Sequence, residues 1–174
     1  GGVADKIEVL EFFSYGCPHC ADLNPLIEPW VGRLPADVAF RRVPVTFGRT
    51  AWTSLARLYF ALELTGELSR LDQAVFDAVT KQRRNLYSDQ TILAWIKDQG
   101  VDPAAFGEML GSFAVATQVS KGDALARDLH IDAVPTIVVD GRYVVLGREA
   151  KGFADLLDIA DQLIVLARGR GRPG

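Results

Sequence analysis

Ile7-Glu8-Val9-Leu10-Glu11-Phe12-Phe13-Ser14-Tyr15-Gly16-Cys17-Pro18-His19-Cys20 is a short apolar run that leads directly into a pair of cysteines. The run carries apolar side chains on both faces, the pattern of a central strand covered on both sides. Pro18 stands where a helix would begin. At the first helical position it gives up no hydrogen bond, which leaves Cys17 as the capping residue with unpaired backbone N–H groups pointing at its sulfur. The two cysteines, the only ones in 174 residues, then lie about one helical turn apart on one face, close enough to bond with little backbone movement. A bridge across so small a loop adds little stability through chain entropy, so its use is to be made and broken.

A helix start favours a thiolate at Cys17 through the helix dipole. His19 adds an imidazole that can donate a hydrogen bond, or a positive charge, to the same sulfur, and both effects lower a cysteine pKa from its free value of about 8.5. Cys17 is thus expected to be the exposed, reactive sulfur and Cys20, one turn further in, the resolving one. The competing reading is half of a zinc site. Structural zinc takes four ligands, and only His19 and His130 remain to complete the set, with His19 inside the motif itself.

Together with Val134-Pro135-Thr136 ahead of a second apolar run, the segment Phe12-Phe13-Ser14-Tyr15-Gly16-Cys17-Pro18-His19-Cys20 resembles the active site of the DsbA family, bacterial thiol:disulfide oxidoreductases of the thioredoxin superfamily. A lone C-x-x-C is a weak signal; Pro-His between the cysteines and two aromatics before them make it specific, and the resemblance covers nearly the whole chain. It implies an α/β, thioredoxin-like fold, a central mixed sheet flanked by helices, with an inserted all-helical domain. It implies catalytic roles for Cys17, Pro18, His19 and Cys20, for Pro135 after a cis peptide bond against the disulfide, and for Glu11, whose family counterpart assists proton movement to the buried thiol. Val134 and Pro135 would meet the substrate. The implied activity is donation of the Cys17–Cys20 disulfide to reduced exported proteins, without cofactor or metal, followed by reoxidation by a DsbB-like quinone-coupled membrane oxidase. A monomer in the bacterial periplasm is the implied setting. A reductase or isomerase on the same fold, or a peptide-binding or chaperone module with incidental cysteines, are the alternatives. Pro-His between the cysteines argues against a reductase, and an isomerase would bring a dimerisation domain.

Composition agrees with a globular chain: 49% hydrophobic, 24% charged, net charge −3, which gives no general reason to expect a nucleic-acid partner. No apolar stretch is long enough to span a membrane. Gly1-Gly2, without methionine or a charged-then-apolar leader, reads as the start of a processed chain. The family has an edge strand ahead of the position of Ile7, and with six residues there that strand is expected to be missing.

Alternation places Ile7, Val9, Glu11 and Phe13 on one face of the first strand. Two readings of Glu11 stand: a buried carboxylate that needs a partner, or a side chain near the strand end that reaches water. Arg42 either pairs with it or is an exposed strand cation. The helix after the motif holds Pro25 and Pro29 and is expected to bend near Asn24-Pro25. A strand follows over Val38 to Val45. Helical periodicity then takes over. Trp52, Leu55, Tyr59 and Leu62 mark one helix, and Leu68, Leu71, Val75 and Val79 the next. Ile92 and Ile96 after Ser88 mark a third, and Phe106 and Leu110 after Asp102-Pro103 a fourth. The aromatics Trp52, Tyr59, Phe76, Trp95 and Phe106 read as core. A helix over Phe113 to Leu129, with a kink expected at Lys121-Gly122-Asp123, returns to the sheet, where Asp140-Gly141 signals a hairpin. The last helix is expected over Phe153 to Ala167. The division this predicts is a thioredoxin-like domain at 1–47 and 122–168, a helical insertion at 48–121 and a flexible basic tail at 169–174.

Overall fold

Strand β1 (Ile7–Phe13) is central because both of its faces are apolar and both of its edges are paired. It runs parallel to β2 (Val38–Pro44) on one side and antiparallel to β3 (Thr136–Val139) on the other, and β3 pairs with β4 (Tyr143–Leu146), giving the order β2-β1-β3-β4. The computed structural model describes residues 6–147 and 150–170. The opening glycines, the expected loss of an edge strand and most of the basic tail fall outside them. The part of the tail that is described is the end of the last helix, which runs past Ala167 to Gly169.

A parallel strand pair needs a crossover, and α1 (Pro18–Gly32) supplies it. Pro25 and Pro29 both sit inside α1, which continues through them, so the bend expected near Asn24 does not interrupt the helix. On one face of the sheet Ile7, Val9, Ile137 and Val139 pack with Leu23 and Ile27 of α1 and with Leu156, Ala160 and Ile164 of α7 (Phe153–Gly169). On the other face Leu10, Phe12, Val43 and Val138 pack with Ala126 and Ile131 at the end of α6 (Phe113–Asp128). α6 passes through Lys121-Gly122-Asp123 as one helix. The reason for a glycine there is close approach: a Cβ at Gly122 would lie 3.1 Å from Val43 Cγ1. The β3–β4 hairpin turns on Asp140 and Gly141, both with positive φ (58° and 66°), which suits the right-handed twist of the flanking strands.

Between β2 and β3 lies the helical insertion: α2 (Thr50–Leu64), α3 (Leu68–Phe76), α4 (Asp89–Asp98), α5 (Pro103–Leu110) and α6. Ser88 and Thr91 form a reciprocal capping box on α4, and the Asp102 carboxylate caps α5. The side-chain cap of α6 by Ser112, and the π-helical turn Asp77–Lys81 that extends α3, were not anticipated. One apolar cluster gathers Leu55, Leu62, Val75, Phe76, Ile92, Trp95 and Phe106 of the insertion with Phe13, Tyr15, Cys17 and Cys20. The thiols therefore sit in the seam between the sheet and the insertion. No helix among the described residues is long and apolar enough to cross a membrane.

Candidate functional site

Cys17 caps α1 with extended backbone (φ −98°, ψ 114°), and its sulfur accepts the backbone N–H of Cys20 at 3.2 Å. Pro18 is the first helical residue and lies at the surface. Neither cysteine is bridged. Cys17 was expected to be exposed; it is only 6% exposed, against 0% for Cys20. The reason is the loop ahead of β3. Val134 lies across the sulfur, with the Cys17 thiol donating to the Val134 carbonyl at 3.7 Å, and the Val134–Pro135 peptide bond is cis. That loop is tied down by Gly147 N–H to Pro135 O at 3.0 Å and by Thr136 Oγ1 to Ala133 O at 2.7 Å. Beside this loop lies a groove of about 280 Å³ lined by His19, Val134, Pro135, Leu146 and Phe153.

The two thiols differ in ionisation. The Cys17 pKa lies below the ordinary cysteine value chiefly because the Cys20 thiol donates to its sulfur; burial opposes this, and the N–H groups of Cys20 and His19 add to it. Burial pushes Cys20 far in the other direction, reinforced by its bond and charge repulsion with Cys17. Of the two, Cys17 is the thiol that ionises first and Cys20 the one that keeps its proton.

His19 departs from expectation. Its imidazole is turned outward to the surface, with its ring centroid 6.2 Å from that of Phe153, and the group of residue 19 that reaches Cys17 is the backbone N–H. Glu11 does not reach water. It is fully buried, paired through Oε1 with Arg42 Nε at 2.8 Å, and Arg42 is itself nearly buried rather than an exposed cation. The strand register places the two directly opposite each other. The Arg42 guanidinium lies 4.2 Å from the centre of the Phe13 ring and gives a second bond, through Nη1, to Asp72 Oδ2 at 2.8 Å. Asp72 accepts from the Tyr15 hydroxyl at 2.6 Å. Glu11 retains its proton to higher pH than an ordinary carboxyl because burial outweighs the attraction of Arg42.

Tyr15 and Asp72 did not emerge from the sequence, although Asp72 was visible as an acid on the Leu68–Leu71–Val75 stripe of α3, where only apolar residues were expected. Trp52 was assigned to the core; it is half-buried and stands against Gly16, where a Cβ would come within 2.7 Å of the indole Nε1. Its ring meets Phe47 at 5.8 Å, and the Arg49 guanidinium lies 4.3 Å above it.

Comparison with known proteins is consistent with this geometry. A DSBA-like thioredoxin domain matches residues 8–158. The thiol:disulfide interchange protein DsbA of Bordetella parapertussis is 40% identical over 167 residues, covering 94% of this chain and 78% of that protein. The protein of the same name from Azotobacter vinelandii is 40% identical over 91% of this chain and 74% of its own. The crystal structure of Pseudomonas aeruginosa DsbA superposes with a TM-score of 0.92 at 36% identity, over 98% of this chain and 88% of that one. The oxidoreductase NmDsbA1 of Neisseria meningitidis gives 0.86 at 27% identity, over 98% and 88%.

Proposed function

Because the chain belongs to the DsbA family and is a thiol:disulfide oxidoreductase of thioredoxin-like fold, we propose that it runs as an oxidase, passing the Cys17–Cys20 disulfide to reduced exported proteins. A substrate thiolate attacks Cys17 Sγ; the S–S electron pair leaves on Cys20, which takes up a proton. A second substrate thiolate then attacks the substrate sulfur of the mixed disulfide and expels Cys17 as a thiolate. Two electrons have moved to the protein, and the substrate carries a new disulfide. What supports this direction is the contrast between the thiols: the Cys20 N–H bond to the Cys17 sulfur at 3.2 Å favours a thiolate there, while full burial favours the protonated form of Cys20. Whatever stabilises the reduced, charged form makes its oxidised form a stronger acceptor of electrons.

Val134 and Pro135 are the proposed substrate-facing residues. Proline offers no N–H to the site, which leaves the backbone of the preceding residue for an extended substrate segment. Glu11 is the proposed proton carrier for Cys20. Reoxidation by a DsbB-like quinone-coupled membrane protein, and residence in the bacterial periplasm, where disulfides persist, complete the reading. The oxidised protein is expected to catalyse oxidative refolding of a reduced, multi-cysteine substrate and to be reduced by glutathione at equilibrium. Failure to accelerate refolding, combined with an equilibrium in which glutathione leaves it oxidised, would indicate the reductase alternative.

The proposed part for the His19 ring is electrostatic and needs the imidazole to swing toward the sulfur. His19→Ala deletes the ring and keeps the N–H, so ultraviolet titration of the Cys17 thiolate isolates the ring's share. The expected result is a higher Cys17 pKa and a less oxidising protein. An unchanged titration would assign the whole effect of residue 19 to its backbone.

A further inference from the structure

Four charged or hydroxyl side chains from four parts of the chain meet beneath the thiols: Glu11 on β1, Arg42 on β2, Asp72 on α3, and Tyr15 in the loop leading to Cys17. One guanidinium serves two carboxylates. Two atoms of the cluster, Glu11 Oε2 and Arg42 Nη2, are buried and make no hydrogen bond among the described residues. Arg42 and Asp72 also line a second groove, between α1 and α3, that shares no lining residue with the one beneath His19. Simple stability does not account for this arrangement, since a buried ion cluster is commonly no better than packed apolar side chains of similar volume.

We propose that Asp72 is a positioning residue for the thiol chemistry: by holding one arm of Arg42 it denies Glu11 a full counter-charge, which keeps Glu11 able to accept and return the Cys20 proton, with Oε2 as the oxygen free to carry it. The inference rests on the oxidoreductase reading above and assigns that role to a residue of the helical insertion. When Cys20 attacks a mixed disulfide at Cys17, its thiol proton passes to Glu11, the new Cys17–Cys20 bond forms, and the departing thiolate leaves with the electron pair. When a substrate thiolate opens the disulfide, the proton returns from Glu11 to the Cys20 thiolate. The α1–α3 groove gives the cluster a contact with solvent that does not cross the substrate groove. The groups facing Glu11 are Arg42 from β2, Asp72 from α3 and the thiols of α1; β3 presents Ile137 opposite it. Tyr15 and Tyr59 bear on it through Arg42 and stay protonated, held so chiefly by burial.

The test is the pH dependence of one step: release of glutathione from the protein carrying a Cys17–glutathione mixed disulfide, driven by Cys20. The rate should rise as Glu11 loses its proton, and Glu11→Gln should remove that rise. Asp72→Asn turns the whole Arg42 charge on Glu11, so the rise should move to lower pH, making release roughly three- to tenfold faster on its acid side. Tyr15→Phe strips Asp72 of a donor and strengthens its pull on Arg42, so the rise should move the other way. This second variant also covers the case in which Asp72→Asn does not fold. The double variant Asp72→Asn, Glu11→Gln should match Glu11→Gln alone, because residue 72 acts only through Glu11. An unmoved rise in Asp72→Asn, a shift of the same sign in Tyr15→Phe, or additive effects in the double variant would overturn the role of Asp72. A rise that survives Glu11→Gln would instead overturn the underlying assignment of Glu11.

Discussion

Replacing Cys17 by serine is expected to reduce disulfide transfer to the uncatalysed background, because the one thiol then left, Cys20, is fully buried and held protonated by that burial, and cannot meet a substrate sulfur. Cys20→Ser is expected to lose turnover differently: the remaining thiol still reacts, but with no resolving partner it accumulates mixed disulfides that mass spectrometry would count. The structure adds a refinement. The largest cause of the lowered Cys17 pKa is the hydrogen bond donated by the Cys20 thiol. A serine hydroxyl is shorter and differently placed, so Cys17 in that variant should titrate at higher pH than in the parent. Alkylation of the fully reduced protein near pH 7 should label Cys17 first. Labelling of Cys20 first would reverse the roles of the two sulfurs.

The second large expectation concerns stability. The reduced protein should be the more stable form near neutral pH, the opposite of an ordinary structural disulfide. Since Cys17 has a depressed folded pKa, its contribution is fully present above the unfolded value of about 8.5 and is lost as pH falls through the folded one. Each unit of pH between those points is worth about 1.4 kcal/mol. The bridge opposes this by constraining the unfolded chain, by about 2 kcal/mol for so short a loop. Reduced exceeds oxidised only where the pH lies more than about one and a half units above the titration of folded Cys17. Cys20 adds an upper bound. Its raised pKa costs stability once the unfolded thiol ionises, so the advantage should shrink again in alkali. Melting curves of both forms at pH 3, 7 and 10 decide it: the reduced form should melt higher at 7 and lower at 3. An oxidised form that melts higher at neutral pH would sink the claim that this protein is a strong oxidant.

Much of this was legible because each element leaves a local trace. The cysteine pair, the proline that starts α1, the periodicity of α2 to α5, the caps at Ser88 and Asp102 and the Asp140-Gly141 turn all act within a few residues, so sequence order alone exposes them. What was not legible depends on which elements meet. Glu11 stood out as an acid on an apolar stripe, but whether it faced water or Arg42 is decided by the pairing of β1 with β2, 31 residues away. Asp72 belongs to a helix whose docking against the sheet is a tertiary fact. The shielding of Cys17 comes from Val134, 117 residues later. The outward turn of the His19 ring reflects Phe153 on α7, and the place of Trp52 reflects the bare backbone of Gly16.

That last contact makes the protein its own optical gauge. Of three tryptophans, Trp30 is tied to Asp161 on the α1–α7 side and Trp95 is enclosed in the insertion, whereas Trp52 abuts the residue next to Cys17. An excited indole loses its emission to a neighbouring sulfur at a rate that falls steeply with separation and depends on the electronic state of that sulfur. Gain or loss of two electrons at the thiols is therefore expected to change the ultraviolet fluorescence of that ring, with no label attached, and a Trp52→Phe variant should lose the change.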